Sequence, residues 1–396
     1  MRKLKKALAQ GTLLLYIRKK IDYIIGVISK KIFYSHNKVQ NNKIFVMTYN
    51  NQYCDNEKYI VEEILRQKLP VDVVWAAPKK GLRPERFPRE VRTVKRGTFE
   101  MFEEQATAKI WFDNALNCVW FDMPKKKSQV YINTWHGSMG IKRLGGNENW
   151  LKRAARCKST TDYCTTNSVF EEDVFRTTFW PNTEFMKIGH PRNDILINKD
   201  VYPEIRKRVE EELEIPEGKK IALYAPTFRD DGDLSCFNLD YEEMRQALER
   251  KFGGEWIILI RLHFKNVKSA SKIKKNDNMI DASKYFDMQE LMAAADIGIT
   301  DYSSWAYDFI LTSRPLFIYA TDIEKYNTDR GFYYPLESTP FPIATDNSEM
   351  IKNIEEFDES SYLERVEQFL NEKGCYETGN ASAAVVEKIK EIVGIE

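Results

Sequence analysis

Apolar and polar positions alternate in short blocks from residue 43 onward. Runs rich in β-branched and aromatic residues are separated by stretches in which apolar residues recur at helical spacing. The first half of this pattern predicts strands at residues 43–49, 71–77, 108–114, 130–135 and 162–168. The second half predicts strands at residues 220–228, 255–264, 297–300 and 316–320. Strands that alternate with helices are typical of doubly wound α/β folds, so the pattern predicts two such units in tandem.

The length of 396 residues suits two domains, and the break between them is expected near residues 190–215. We predict a first Rossmann-like domain over residues 41–200 and a second over residues 201–396. Helices at the C-terminal end are expected to pack back across both. Ligands of doubly wound sheets bind beyond the carboxyl ends of the strands, so the chemistry is expected in the loops that follow strands.

The first 33 residues differ from the rest of the chain. Nine basic residues and one acidic residue, a net charge of +8, are interleaved with two short apolar runs. Neither run approaches the roughly 18 to 20 residues that span a bilayer, and no small-residue cleavage site follows. We predict that residues 1–40 form a basic amphipathic helix on an anionic membrane surface, which places the protein peripherally on the cytoplasmic face. A helix packed on the protein's own surface is the alternative.

Composition narrows the classes of function. The balance of 60 Lys and Arg against 59 Asp and Glu does not indicate a nucleic-acid binder. The six cysteines are scattered, which argues against a zinc site or a disulfide framework and suits a reduced cytosol. The GxGxxG, P-loop, GxSxG and HExxH patterns are missing, which argues against a dinucleotide dehydrogenase or an ATPase. No cofactor is indicated; a divalent metal stays open, although no carboxylate cluster marks its site.

The segment Trp135-His136-Gly137 ends a predicted strand and leads into a loop that carries Lys142 and Arg143. A histidine held at a strand end can act as a general base near neutral pH. The glycine lets the backbone approach a ligand closely. A packed structural histidine would explain the tripeptide equally well.

Two further segments follow predicted strands. Arg261 and His263 close the strand EWIILI, a place that suits a diphosphate, although Arg261 could instead pair with a nearby carboxylate. Asp301 ends another strand, and Ser303 and Ser304 stand where the next helix begins. Free backbone N–H groups and two hydroxyls make an anion site there, whereas a simple N-cap needs only one serine.

The segments IGHPRNDIL and YAPTFRD each combine a proline turn with an arginine. Arg192 lies in the first, and Thr227 and Arg229 lie in the second. Ordinary turn chemistry accounts for each segment taken alone. His190 precedes a proline and is predicted to be a turn residue rather than a catalyst. Together, the strand-end residues indicate a two-domain α/β enzyme that acts on a phosphate-bearing ligand at a membrane surface.

Six segments, in the same order, resemble the motifs of the CDP-glycerol glycerophosphotransferase family, the teichoic acid primases and polymerases of Gram-positive bacteria. They are TWHGSMGIKRLG, IGHPRNDIL, LYAPTFRD, IRLHF, FDMQELMAAADIGITDYSSWAYDF and RPLFIYATDIEKYNTDRGFYY. The resemblance implies a GT-B-like fold in which two Rossmann-type domains face a central cleft. It implies a peripheral membrane protein that transfers a polyol phosphate from a CDP-activated donor to a lipid-linked acceptor. The first domain would then hold the acceptor and the second the CDP donor.

The resemblance also implies roles for individual residues. His136 resembles the base that takes the proton of the acceptor hydroxyl. His263, with Arg261, would stabilise the diphosphate as CMP leaves. The serines of DYSS would hold phosphate, and Arg330 resembles a further donor-site residue. The other expected substrate-binding residues are Trp135, Gly137, Lys142, Arg143, Arg192, Thr227, Arg229 and Asp301.

We therefore expect transfer of glycerol phosphate from CDP-glycerol to a lipid-linked acceptor of teichoic acid or capsule type, with release of CMP. Transfer of ribitol phosphate from CDP-ribitol is one alternative. A GT-B glycosyltransferase that uses a nucleotide sugar is another, and it would release a nucleoside diphosphate. A third is a membrane-attached scaffold of a polymer-export complex without catalytic activity. The expected partners are the CDP-polyol, a saccharide or polyol-phosphate acceptor on a lipid and an anionic membrane, and no nucleic acid.

Overall fold

A computed structural model describes the chain over most of its length. The described residues are 13–49, 52–77, 86–118, 123–145, 148–227, 229, 238–262 and 277–395. Over these residues the chain forms two α/β units, each built on a parallel sheet flanked by helices. The predicted fold class is confirmed.

The first unit is a seven-stranded parallel sheet in the order β3-β2-β1-β4-β5-β6-β7. Its strands are β1 (Gln40–Met47), β2 (Asp72–Ala77), β3 (Arg92–Lys95), β4 (Ala108–Asp113), β5 (Val130–Asn133), β6 (Tyr163–Thr166) and β7 (Glu184–Lys187). Its helices are α1 (Leu13–His36), α2 (Asp55–Arg66), α3 (Phe99–Thr107), α4 (Glu148–Thr160) and α5 (Val169–Thr178). Central strands such as β4 are buried on both faces, which explains their continuous apolar runs.

The second unit is a six-stranded parallel sheet in the order β10-β9-β8-β11-β12-β13. Its strands are β8 (Lys220–Tyr224), β9 (Trp256–Ile260), β10 (Met279–Asp281), β11 (Ile297–Thr300), β12 (Leu316–Tyr319) and β13 (Ile343–Ala344). The remaining helices are α6 (Asp194–Ile197), α7 (Tyr202–Leu213), α8 (Tyr241–Phe252), α9 (Met288–Ala294), α10 (Trp305–Phe309), α11 (Ile323–Arg330), α12 (Asn347–Glu355), α13 (Glu359–Lys373) and α14 (Ala381–Val393).

Four strands of the structure were not predicted: β3, β7, β10 and β13. All four lie at an edge of their sheet, and each has at most four residues. Strands β3 and β7 leave two or more of their side chains exposed. Short, half-exposed edge strands carry too few apolar positions for the pattern to detect them.

Strands β5 and β8 end before the predicted limits at residues 135 and 228. After β5 the ladder stops because the chain turns, and Trp135 adopts a φ of +53°, in the left-handed region. After β8, Pro226 has no N–H to offer a neighbouring strand. The polar residues that follow both strands therefore lie in loops at the carboxyl edges of the sheets.

The last helix, α14, packs on the first unit although it follows the second unit in the chain. Val385, Val386 and Ile389 are fully buried against one face of the first sheet, in the same cluster as Ile44 and Val46. The preceding helix, α13, stays with the core of the second unit. The predicted domain division at residue 200 stays a proposal. By its packing, α14 belongs with the first unit.

Helix α1 lies along the first unit on one of its sides. Ile25 and Phe33 pack against the core there, and the Phe33 ring meets that of Phe99 on α3 edge to face, with 6.5 Å between centroids. Among the helices that the structure describes, none combines the length and the apolar character needed to cross a membrane.

A buried ionic cluster joins the two units beside their cleft. Lys58 on α2 donates to Asp287 at 2.6 Å and to Glu290 at 2.8 Å, both at the start of α9. Burial opposes the charge of the ammonium, but the surrounding carboxylates outweigh burial and raise the pKa of Lys58. The hydroxyl of Tyr59 also donates to Asp287, at 2.9 Å. This contact fixes the first unit against the second.

We expect Lys58→Met to lower the free energy of unfolding by about 3 to 5 kcal/mol, because it leaves buried carboxylates without their cation. Denaturant unfolding measures the change. The matched control is Lys207→Met, since Lys207 and Glu211 form an exposed pair on α7 whose loss should cost less than about 1 kcal/mol. Equal effects of the two substitutions would contradict a role for the buried cluster.

Candidate active site

A cleft of about 910 Å³ lies where loops at the carboxyl ends of the two sheets face each other. Seven predicted site residues line it: Trp135, His136, Lys142, Arg143, Thr227, Ser303 and Arg330. They come from both units, so the structure brings the main motifs of the sequence to one place.

The backbone around Trp135 holds His136 in the cleft. Trp135 is itself buried, and its ring packs against Phe179 and Trp180 at centroid distances of 4.7 and 5.8 Å. A side chain at Gly137 would place a Cβ 3.0 Å from Nε1 of Trp135. The left-handed tryptophan and the glycine therefore define the turn together.

The surroundings of His136 determine where its proton lies. Its Nδ1 is 2.5 Å from the carbonyl oxygen of Asn114. Because a carbonyl only accepts, Nδ1 carries the hydrogen and Nε2 keeps its lone pair. The ring stacks on Tyr49, with 4.8 Å between centroids and 8° between planes. Burial lowers the pKa of His136, and the nearby carboxylate of Asp55 offsets this in part. The neutral ring suits a general base.

Asn114 is held in turn by the first unit. Its Nδ2 donates to Asp55 at 2.9 Å, and its Oδ1 accepts from the backbone N–H of Tyr49 at 2.6 Å. The carbonyl that fixes the His136 ring therefore has little freedom to move.

Arg192 lies beneath the loop that carries His136, outside the residues that line the cleft. Its side chain is only 3% exposed, and it pairs with Asp55 at 2.9 Å and with Asp308 at 3.0 Å. The same guanidinium donates to the carbonyl of Gly137. We predicted a substrate contact for Arg192; in the structure its two terminal nitrogens instead contact two carboxylates and a backbone carbonyl, which holds the loop.

Asp301 and Arg229 form a similar support on the side of the second unit. Oδ1 of Asp301 accepts from the backbone N–H of Thr227 at 2.8 Å, and its other oxygen pairs with Arg229 at 2.9 Å. Arg229 also pairs with Asp322 at 2.7 Å. These predicted substrate contacts therefore lie behind the cleft wall, where they position Thr227.

The two serines of DYSS separate in the structure. Ser303 lines the cleft, and Ser304 precedes helix α10. A Cβ at Gly140 would lie 3.1 Å from the Cβ of Ser304, so Ser304 packs against the loop that follows His136. Of the pair, Ser303 is the one that the structure brings to the cleft.

The second predicted histidine, His263, lies outside the described residues. Its neighbour Arg261 points toward α9, where it donates to the carbonyl of Phe286 at 3.2 Å. Burial lowers the pKa of Arg261. The predicted diphosphate contact of His263 and Arg261 therefore stays a prediction.

Among the described residues that line the cleft, five carry a positive side chain and none carries a carboxylate. The cations are Arg96, Lys142, Arg143, Arg153 and Arg330. Burial lowers the pKa of Lys142 to about 8. In the described part of the chain, no three histidine, cysteine or carboxylate side chains gather as metal ligands. This charge distribution suits a ligand with several phosphate charges.

Tyr49, Arg96 and Arg153 are among the residues that line the cleft and were not predicted. Tyr49 follows β1 at the same sheet edge as the Trp-His-Gly segment, so the strand-end rule could have found it. Arg96 follows β3, and Arg153 lies on α4. Neither β3 nor α4 was predicted, so the sequence did not indicate where these arginines lie relative to the sheet.

Comparison with known proteins places this cleft in a family. The family described as CDP-Glycerol:Poly(glycerophosphate) glycerophosphotransferase matches residues 28–391. The chain belongs to this family. The family and enzyme class expected from the sequence are therefore confirmed.

Individual members of the family are similar over most of this chain. A teichoic acid poly(glycerol phosphate) polymerase of Staphylococcus epidermidis is 31% identical over 352 residues, which are 83% of this chain and 48% of that protein. A teichoic acid glycerol-phosphate transferase of Staphylococcus aureus is 29% identical over 395 residues, 94% of this chain and 98% of the transferase. The chain thus spans about half of the first relative and nearly all of the second.

A solved structure shows the same fold. The wall teichoic acid polymerase TagF, as a histidine-to-asparagine variant soaked with CDPG, superposes with a TM-score of 0.81 at 27% identity. The match covers 96% of this chain and 98% of that chain. The expected GT-B-like arrangement is thereby confirmed.

We expect the pKa of His136 to lie below the ordinary histidine value of about 6.5, since burial disfavours the charged ring. NMR titration of the histidine ring protons measures it. Asp55→Asn should lower the midpoint further, because it removes a favourable carboxylate. Asp173→Asn, an exposed change on α5, should leave it in place. A midpoint above the ordinary value would contradict the neutral-base assignment.

Proposed function

We propose that the protein transfers glycerol phosphate from CDP-glycerol to a hydroxyl of a lipid-linked teichoic acid acceptor at the membrane surface, with release of CMP. The observation that carries this proposal is the Nε2 lone pair of His136 in a cationic cleft whose described lining holds no carboxylate. A base with an available lone pair suits deprotonation of a hydroxyl, and the cations suit a diphosphate.

The proposed reaction is a single displacement at phosphorus. The acceptor oxygen attacks the β-phosphorus of CDP-glycerol, and His136 Nε2 takes the hydroxyl proton as the new P–O bond forms. The bond from that phosphorus to the bridging oxygen breaks, and CMP leaves with the electron pair. Lys142 and Arg330 are placed to neutralise charge on the leaving phosphate. The product is an acceptor longer by one glycerol phosphate.

The two units take different parts in this proposal. The second unit, with Thr227, Ser303 and Arg330 on its wall, holds the CDP donor. The first unit supplies His136 and faces the acceptor. Attack in line with the leaving group requires the two substrates to enter from opposite sides of the phosphorus, which suits a cleft between two units.

Release of CMP from CDP-glycerol, with a lipid-linked glycerol phosphate acceptor, tests the reaction. We expect acceptor-dependent CMP from the native chain and a loss of about 10²- to 10⁴-fold in His136→Ala, the usual range for a general base. The matched control is His36→Ala, at an exposed histidine on α1.

CDP-ribitol and a nucleotide sugar serve as alternative donors in the same assay. CMP from CDP-ribitol alone would change the assigned donor, and a nucleoside diphosphate from the sugar donor would replace the proposal with sugar transfer. No turnover of any donor would favour the scaffold alternative.

Helix α1 supports the proposed location at the cytoplasmic face of the membrane. The side chains of Ile17, Ile21, Ile24, Ile28 and Ile32 follow one another at helical spacing, and each is 40% to 53% exposed. The docked residues of α1, Ile25 and Phe33, border this stripe along one edge. A continuous apolar stripe on a helix from a basic segment matches a helix that lies in the lipid interface.

Replacing Ile21, Ile24 and Ile28 together by Asn should release the protein from anionic liposomes, because each buried apolar side chain contributes to membrane binding. Flotation with liposomes of phosphatidylglycerol measures the bound fraction, and circular dichroism checks the fold. Leu151→Asn changes an exposed apolar residue outside α1 and should leave binding intact. Unchanged binding of the triple variant to liposomes would contradict the proposal that the stripe binds the membrane.

A further inference from the structure

The wall of the cleft on the side of the first unit carries two arginines that the proposed transfer does not use. Arg96 follows β3 and Arg153 lies on α4, and both are half-buried where they line the cleft. Asn117 and Trp150 lie on the same wall. Lys142 and Arg143 come instead from the loop that follows His136, so the cations of the cleft come from different elements.

One loop connects this surface to the base. Residues 114–118 follow β4 and fold around the carboxylate of Asp113, which accepts from the backbone N–H groups of Ala115 at 2.8 Å and Cys118 at 2.7 Å. The same carboxylate accepts from Asn117 at 3.1 Å. Asn114, at the start of this loop, orients the His136 ring.

The loop also reaches the arginine. Oδ1 of Asn117 accepts from the guanidinium of Arg96 at 3.3 Å. The buried carboxylate of Asp113 therefore helps to fix the loop that carries both the Asn114 carbonyl beside His136 and the Asn117 contact to Arg96.

The electrostatics of the wall favour a bound anion. Burial lowers the pKa of both Arg96 and Arg153, because it removes water from their charged groups. The carboxylate of Asp113 acts in the opposite direction but does not outweigh burial. That carboxylate accepts four hydrogen bonds, the fourth from the hydroxyl of Tyr131 at 2.9 Å. Partly desolvated guanidinium groups bind a phosphate more strongly than fully hydrated ones.

We infer that Arg96 and Arg153 bind the phosphodiester next to the attacking hydroxyl of the acceptor. This inference rests on the proposed function and extends it. With the donor on the second unit, the acceptor reaches His136 along the first unit's wall. In a chain that ends in glycerol phosphate, only the three glycerol carbons separate the terminal hydroxyl from its phosphate. That phosphate falls on the wall that holds the arginines.

The inference names the class of acceptor. The preferred acceptor ends in a polyol phosphate, so the protein extends an anionic chain, and a neutral saccharide end is a poorer substrate. Trp150, on the same wall, offers an apolar face to the carbon atoms of the terminal unit.

Two lipid-linked acceptors that differ only at the end of the chain test this inference. One ends in glycerol phosphate and the other in an uncharged glycerol. We expect the native chain to prefer the phosphate-ended acceptor, and Arg96→Gln and Arg153→Gln each to lower that preference about 10- to 100-fold, the effect of losing a charge-assisted hydrogen bond. The change should appear in the KM for the acceptor rather than in the KM for CDP-glycerol.

Two further variants separate binding from folding. Lys158→Gln removes an exposed charge from the same helix as Arg153 and should leave the preference as it is. Arg153→Lys keeps the charge but loses the two-pronged contact, so it should restore part of the preference. Equal losses on both acceptors, or a higher KM for CDP-glycerol, would overturn the inference.

Direct binding distinguishes this inference from the proposed function. Isothermal titration of the native chain with a short, water-soluble oligo(glycerol phosphate) needs no turnover. Should CDP-glycerol yield no CMP with either acceptor, the proposed reaction fails, while weaker binding by Arg153→Gln than by the native chain still supports the subsite. Equal affinity of the two proteins would overturn it.

Discussion

The buried guanidinium of Arg192 is the contact on which the rest of the site depends. It pairs with Asp55 on α2 of the first unit and with Asp308 on α10 of the second, and it donates to the carbonyl of Gly137. A planar cation with five donors can serve three acceptors at once, which an ammonium group cannot do in fixed directions. The cost of burying it is offset because two carboxylates pair with it, and that of Asp308 is itself buried. The turn that carries His136 is therefore tied to both units by one side chain.

Much of the site follows from a single rule about parallel sheets. Polar residues that come directly after a predicted strand lie at the carboxyl edge, and His136 and Ser303 were found in this way. The rule locates loops but does not say which side chain of a loop faces the ligand. Arg229 illustrates this limit. It pairs with two carboxylates that are distant in sequence, and it therefore lies outside the lining of the cleft.

The elements that escaped prediction have a common physical cause. An edge strand pairs on one side only and needs few apolar residues, so β3 and β13 leave weak patterns. Arg96 follows such a strand, so its position in the cleft was not predicted either. The carboxylate of Asp113 was also unforeseen, because two of the four hydrogen bonds that it accepts come from backbone N–H groups, which no sequence pattern marks.

The crossing of α14 to the first sheet has a consequence for biosynthesis. Val385, Val386 and Ile389 complete one face of a sheet whose first strand begins at Gln40. During translation the part of that face that α14 covers stays open until residues 381–393 have left the ribosome, although α2 already packs on the same face. The nascent first unit thus carries exposed apolar surface for most of its synthesis, and it becomes complete only when the last helix arrives.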